Sequence, residues 1–313
     1  MTSGSSGTGT VCRIAAGLAF APVRNAFFKG HGLGNDYLVV DPAELDFKVT
    51  PANVRRLCDR HTGVGADGVL ALAPTRRADF GLRIWNPDGG EAEKSGNGLR
   101  IFARFLHATR RTRRTSFSVD TKGGVARIDL ALDARGVASS ATVAMGRASF
   151  RPADLPCSLA VPELVDEPIR VGSQSLRFTG VSVGNPHCVV FRPKGRDVTH
   201  RELVTLGSAL ETHQIFPRFT NVQLVVPRTR HRLAVWIWER GAGVTQASGS
   251  SACAAASAAV KRGIAKSPIR VEMPGGALSV EVSPDYDVTL TGAVEEVCRG
   301  QLAESWVRAL GRR

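Results

Sequence analysis

Residues 82–98, LRIWNPDGGEAEKSGNG, and residues 235–251, VWIWERGAGVTQASGSS, follow one plan. With Trp85 set against Trp238, Gly90 falls on Gly243, Ser95 on Ser248 and Gly96 on Gly249. Another pair of blocks keeps the same order. Gly34-Asn35 leads into DYLVV, and Gly184-Asn185 leads into PHCVV. Matched blocks in matched order predict a duplicated fold. Two like units facing each other across a pseudo-twofold axis would set two chemical groups on opposite faces of one substrate.

Each copy of the block reads as a strand, a glycine-rich turn, and a hydroxyl residue just before a glycine that opens a helix. Asn86-Pro-Asp-Gly-Gly is a strong turn signal. After Ser95 the apolar residues at 99, 102, 103 and 106 share one helical face, which predicts a helix over 99–107. After Ser248 comes a helix of Ala and Ser, expected over 252–262, which permits close backbone packing. A hydroxyl in this place sits at a helix N-terminus, where unpaired N–H groups and the dipole favour an anion. The glycines at 96, 98 and 249 let a ligand approach the backbone. Two such N-termini could grip one carboxylate from both sides and stabilise the enolate-like charge that follows loss of an α-proton. The plainer alternative is that Ser95 and Ser248 serve only as N-caps, a role serine fills well.

Outward from these blocks, strands are expected over 26–29, 37–40, 69–73 and 80–85, then 116–119, 125–132 and 137–144. The second half repeats the plan with strands over 176–183, 188–191, 221–226 and 233–238, then 269–273, 278–282 and 288–291. Helices are expected over 51–61, with Thr50 as N-cap before Pro51, and over 202–212. The closing segment 298–306 is expected to return to the first half, which would otherwise be the smaller.

The chain has 313 residues, enough for two domains, with 43% hydrophobic and 22% charged residues, a globular balance. No apolar run reaches the roughly 20 residues that span a bilayer. Val11–Val23 is short and broken by Arg13, so no signal peptide is expected. Residues 1–25, rich in Ser and Gly at their start, are expected to form a disordered extension. The net charge of +13 comes from scattered arginines, and no basic stripe with interleaved aromatics predicts nucleic-acid binding. An anionic small molecule would need only one or two arginines. The six cysteines are widely spaced, with no CxxC and no Cys/His cluster. They predict neither a metal site nor a disulfide framework, and fit a reduced, cytoplasmic protein.

The blocks HGLGNDYLVVD, DRHTGVGADGVL, WNPDGGEAEKSGNGLRIFARFL, VGNPHCVVF, FPRFTNVQLVV and WERGAGVTQASGSSACAAA, in this order, resemble the motif set of the diaminopimelate epimerase family. The resemblance runs from about Phe27 to the C-terminus. It implies an α+β fold of two pseudo-symmetric lobes, each a barrel-like sheet around a central helix, with the active site in the cleft between them. The expected lobes are 26–145 plus 297–313, and 146–296. It implies an amino-acid epimerase or racemase that needs no pyridoxal phosphate and no metal, acts on a small carboxylate substrate, and forms a homodimer. One thiolate removes the α-proton and a second thiol returns a proton on the opposite face.

In this chain Ser95 and Ser248 occupy the two cysteine positions. The resemblance implies that Asn35, Gly96, Asn97, Gly249 and Ser250 hold the reacting carboxylate and ammonium. It implies that Asn86, Asn185, Asn221 and Arg240 hold the distal end of the substrate, and that His187 and Glu239 tune the catalytic pair. Gly68 and Ser251 are further departures, standing where the family usually has glutamine and glycine. A thiol ionises near pH 8.5, whereas a serine hydroxyl acts only beside a base. His187 is the candidate base for Ser95 and Glu239 for Ser248. Three readings stand at this point: an epimerase, whose serines are native or exchanged for cysteine; a divergent isomerase or cyclase with serine chemistry on another acid; and a binding protein without catalysis.

Overall fold

The computed structural model describes residues 23–311. The strand propensity of the apolar alternating segments and the turn residues between them divide this span into two equivalent halves. The first half comprises β1 (Ala26–Gly32), β2 (Asn35–Val40), α1 (Pro51–Cys58), β3 (Val69–Ala73), β4 (Phe80–Trp85) and β5 (Glu91–Ala92), then α2 (Gly96–Ala108), β6 (Ser116–Thr121), β7 (Gly124–Leu132) and β8 (Ala138–Arg147). The second comprises β9 (Glu167–Val171), β10 (Gln174–Ser182), β11 (Pro186–Phe191), α3 (His200–Glu211), β12 (Asn221–Thr229) and β13 (Arg232–Glu239). It continues with β14 (Gly243–Thr245), α4 (Gly249–Lys261), β15 (Ile269–Met273), β16 (Gly276–Val282) and β17 (Asp287–Ala293). The chain ends in β18 (Glu295–Gln301) and α5 (Glu304–Ala309).

The pairings repeat as the sequence does. β2–β3 and β11–β12 are parallel, and so are β4–β6 and β13–β15. The remaining neighbours are antiparallel, and one ladder runs β18–β1–β2–β3–β4–β6–β7–β8. β8 then pairs with β17, and the ladder continues β16–β15–β13–β12–β11–β10–β9. The β8–β17 pair is the seam between the halves. β18 lies beside β1 as β9 lies beside β10, so the last strand completes the first half. β8 runs on to Arg147 and β18 starts at Glu295, a little outside the boundaries expected from sequence.

Each half wraps a buried helix. α2 packs against β1, β2, β7, β8 and β18, and α4 against β10, β11, β12, β13, β15, β16 and β17. In α4 the residues Ala252–Ala259 are all buried, which suits a helix made of alanine, serine and one cysteine, with no polar face. In α2 the buried positions include Leu99, Phe102, Ala103 and Leu106, the face expected from spacing, and also Arg100 at 1% exposure. One core formed by both helices runs through the two halves, and separate apolar clusters lie under α1 and under α3.

Some details differ from the sequence expectations. α1 stops at Cys58 rather than at residue 61, because the Asp59 carboxylate accepts from the N–H groups of His61 and Thr62 and so replaces the next helical turn. Asn25, placed by the sequence in a disordered extension, is buried and fixed: its N–H donates to Glu44 O at 2.8 Å and its side chain pairs with Asp46. The rest of that extension, residues 1–22, lies outside the described residues, and with it all but the last residue of the apolar stretch. β5, β9 and β14 have no counterpart in the sequence expectations; β5 and β14 are two and three residues long, and β9 is a Pro- and charge-bearing edge strand.

Candidate active site

The two repeated blocks meet at the centre of the molecule. Ser95 and Ser248 are the N-caps of α2 and α4, both in extended backbone. Ser95 Oγ accepts from Gly98 N at 3.0 Å, and Ser248 Oγ from Ser251 N at 3.5 Å. The helix starts abut. A Cβ placed on Gly249 would lie 3.5 Å from Gly96 Cα and 3.0 Å from Leu290 Cδ2, and one on Gly96 would lie 2.9 Å from the same Leu290 atom. Only glycine allows two helix N-termini to come this close.

The abutment leaves a defined set of donors. Gly98 and Leu99 are paired with Ser95, and Ser251 and Ala252 with Ser248. Among the described residues no acceptor is paired with the N–H of Gly96, Asn97, Gly249 or Ser250. Four unpaired N–H groups, two from each of two abutting helix N-termini, are donors of the kind that suit an anion. Ser250 adds its own hydroxyl, 3.4 Å from Ser248 Oγ.

On the first half a chain of polar contacts orients the amides. Arg100 donates to Gly96 O at 3.1 Å and to Asn97 Oδ1 at 2.9 Å. That leaves Asn97 Nδ2 to donate to Asn35 O and Oδ1, and Asn35 Nδ2 to donate to Asp67 Oδ2. Asp67 and Asp36 are clasped in turn by Arg60, and Asp36 also by Lys29. Burial pushes the Arg100 guanidinium down to about 10, so it stays charged at neutral pH beneath the start of α2.

Of the residues expected at the distal end, Asn185, Asn221 and Arg240 lie in the second half and Asn86 in the first. Asn221 Nδ2 donates to Pro186 O, and its Oδ1 accepts from Arg240 N at 3.1 Å. The Arg240 side chain is exposed, donates to Arg218 O, and forms no ion pair among the described residues. Asn86 sits at the turn after β4, half-buried, its backbone closing the turn against Gly89 and Gly90.

The expected bases sit elsewhere than beside the serines. His187, fully buried in β11, has Nε2 at 2.9 Å from Asn185 Oδ1, while its Nδ1 has no hydrogen-bond partner among the described residues. Burial pulls its imidazole down to about 3, so the ring is neutral. Gln223 Nε2 donates to Ser251 Oγ at 3.0 Å and so ties β12 to the start of α4. Glu239 accepts from Thr245 Oγ1 at 2.9 Å. Among the described contacts neither His187 nor Glu239 is hydrogen-bonded to Ser95 or Ser248.

Tyr37 is buried in β2, and burial pushes its phenol up to about 12. Sequence reasoning misses Arg100 and Gln223, which contact the starts of α2 and α4. Cys188 and Cys253 offer no substitute nucleophile. Cys188 and Cys253 are fully buried, and burial pushes Cys253 up to about 12 and Cys188 still higher.

A family model for diaminopimelate epimerase matches residues 27–151 and 179–297, one segment on each half. The chain is 40% identical over 279 residues to a diaminopimelate epimerase 2 of Nostoc sp. (strain PCC 7120 / SAG 25.82 / UTEX 2576), covering 88% of this chain and 95% of that one. The chain belongs to the diaminopimelate epimerase family. A diaminopimelate epimerase of Moorella thermoacetica is also 40% identical, over 281 residues, covering 88% of this chain and 98% of that one. Among solved structures, a hydroxyproline epimerase from Agrobacterium vitis shares the fold with a TM-score of 0.65 at 16% identity, covering 88% of this chain and 90% of that chain. A methylitaconate-delta-isomerase shares it with a TM-score of 0.61 at 11% identity, covering 91% and 97%. The diaminopimelate epimerase fold therefore accounts for both the repeat in the sequence and the seam at β8–β17.

Proposed function

We propose that this chain is a cofactor-independent amino-acid epimerase that inverts the α-carbon of diaminopimelate. The observation that carries this reading is the pair of abutting helix N-termini, with four unpaired N–H groups between two hydroxyls. The N–H groups of Gly96, Asn97, Gly249 and Ser250 would hold the reacting carboxylate. Negative charge flows onto that carboxylate when the α-proton leaves, so the same donors stabilise the transition state more than the ground state. Ser95 and Ser248, on opposite sides of the grip, would exchange a proton with the two faces of the α-carbon. Asn86, Asn185, Asn221 and Arg240 would receive the distal end, where an Arg240 guanidinium with no carboxylate partner among the described residues suits the second carboxylate. His187, neutral and buried, and Glu239 would order the polar groups around α4.

The cleft lies between proposed lobes 26–145 plus 297–313, and 146–296. A homodimer in the cytoplasm is part of the same proposal. The family resemblance supports the dimer, and the free Cys58, Cys157, Cys188, Cys253 and Cys298 support a reducing compartment.

The test is α-proton exchange in D2O with LL- and meso-diaminopimelate and a panel of other L-amino acids. Deuterium uptake with stereoinversion of diaminopimelate is the expected result. Exchange confined to a different acid assigns another substrate, and saturable binding without exchange makes the chain a binding protein. Either outcome overturns the proposal.

A further inference from the structure

We infer that Arg100 is a positioning residue for the unpaired N–H groups at the start of α2, a role that rests on the epimerase reading above and deepens it. Arg100 is 1% exposed and forms no ion pair among the described residues. Neutral oxygens hold its guanidinium. Nη1 donates to Gly96 O at 3.1 Å, Nη2 to Asn97 Oδ1 at 2.9 Å, and Nε to Ala293 O at 3.4 Å. Both halves of the molecule build its slot. A Cβ on Gly32, in the first half, would lie 2.7 Å from Arg100 Nη2, and one on Gly292, in the second, 3.2 Å from Nε. A buried cation without a counter-ion costs stability. The anion that balances this one is the substrate carboxylate, held at the same helix start.

The chemistry follows from the planar trans peptide. Gly96 C=O and Asn97 N–H belong to one peptide unit and point in opposite directions. Arg100 donates to the carbonyl, so the N–H is turned away from the guanidinium and left for a ligand. A cation on the carbonyl oxygen also draws electron density from the amide and makes its N–H a stronger donor. The guanidinium carries donors only, so Asn97 must offer it Oδ1 and keep Nδ2 for Asn35. When the α-proton leaves the substrate, its electron pair spreads onto the carboxylate oxygens. The strengthened Asn97 N–H and the positive charge behind it then interact more strongly than in the ground state. No bond to Arg100 forms or breaks. Burial lowers its guanidinium to about 10, so it keeps its proton at neutral pH. Lysine in its place would keep the charge but lose the fork that reaches Gly96 O and Asn97 Oδ1 together.

The experiment reads the contact and the role separately. Labelling glycine with carbonyl carbon-13 and asparagine with nitrogen-15 selects three peptides, Gly34–Asn35, Gly96–Asn97 and Gly184–Asn185. The Gly96–Asn97 signal is the one lost in Asn97→Asp. In Arg100→Met its nitrogen resonance should move upfield while that of Gly184–Asn185, in the other half, stays in place. An unmoved Gly96–Asn97 resonance overturns the placement whatever the activity. The role is then read in the kinetics of diaminopimelate epimerisation. Arg100→Met should lower kcat by about ten- to a hundredfold, the loss expected for a charge-assisted hydrogen bond, with KM changed by less than about threefold. Arg100→Lys should keep kcat at least about threefold above that of Arg100→Met, because the charge remains. A site that had merely loosened would raise KM and treat the two variants alike. Equal kcat in the two variants, or a loss confined to KM, overturns the role. If Arg100→Met fails to fold, Arg100→Lys alone carries the test, and a kcat equal to that of the unsubstituted chain overturns the role. If the unsubstituted chain exchanges no α-proton, the epimerase reading falls and the role with it, and a moved resonance leaves Arg100 as a structural contact.

Discussion

Ser95 and Ser248 do two jobs that can be separated by substitution. As caps, each accepts an N–H at the start of its helix, so alanine at either position should cost about 1 kcal/mol of stability, read from urea midpoints. As proton carriers they have oxygen where the family resemblance implies sulfur. The double change Ser95→Cys with Ser248→Cys should raise kcat/KM for diaminopimelate, because a thiol ionises far more readily. Its thiolate absorbance should appear well below the pH at which the buried Cys188 and Cys253 titrate. A fall in an existing activity would mean that the hydroxyls have chemistry of their own. His187 gives a pH signature. Its folded value, about 3, lies below the unfolded 6.5 because burial penalises the charged ring. The unfolded chain therefore takes up a proton that the folded chain refuses, and stability is present above pH 6.5 and lost as pH falls. Each pH unit through that window costs up to about 1.4 kcal/mol. His187→Gln should flatten the dependence of the urea midpoint on pH between these values; an unchanged slope would show that another group sets it.

At the scale of elements, the grip depends on how closely α2 and α4 approach. Leu290, on β17, is the spacer that both helix starts touch. Gly249→Ala would push a Cβ to 3.0 Å from its Cδ2, so the helices must part or the leucine must shift. The expected cost is about 1–3 kcal/mol of stability together with weaker substrate binding. Leu290→Ala in the same chain should restore part of the binding while leaving a small packing loss. Isothermal titration with diaminopimelate checks this: failure of Leu290→Ala to recover any affinity would show that the alanine acts on the ligand directly. The elements that form this site are largely legible in the sequence. The helices fall within a few residues of their expected spans, since spacing, caps and proline at a helix start are local signals. The expected start of each central helix lies three residues late, because glycine and serine carry no propensity that would extend a helix to its cap.

For the whole molecule, the decisive feature is the crossing of the chain between halves. β18 covers β1, Leu302 N donates to Asn25 O, and Asn53 and Arg56 of α1 donate to carbonyls of Leu310 and Ala309. A chain ending at residue 294 would expose the β1 edge and uncover the cluster under α1. We expect it to lose the cooperative thermal transition and to accumulate as insoluble protein. A truncated chain that melts cooperatively near the full-length temperature would show that the first half is complete without its last strand.

The sequence by itself determined the duplication, the α+β class, the two helix starts with their serines, and the family. These are local patterns repeated at one offset, and a local pattern needs no knowledge of what it packs against. Only the tertiary structure decided which groups meet. It set Gly96 against Gly249, left four N–H groups unpaired at the two helix starts, and tied Gln223 to Ser251. Those contacts join residues far apart in the chain, fixed by burial and strand register. No spacing along the chain encodes them, because the energy that selects them arises only when both halves are folded.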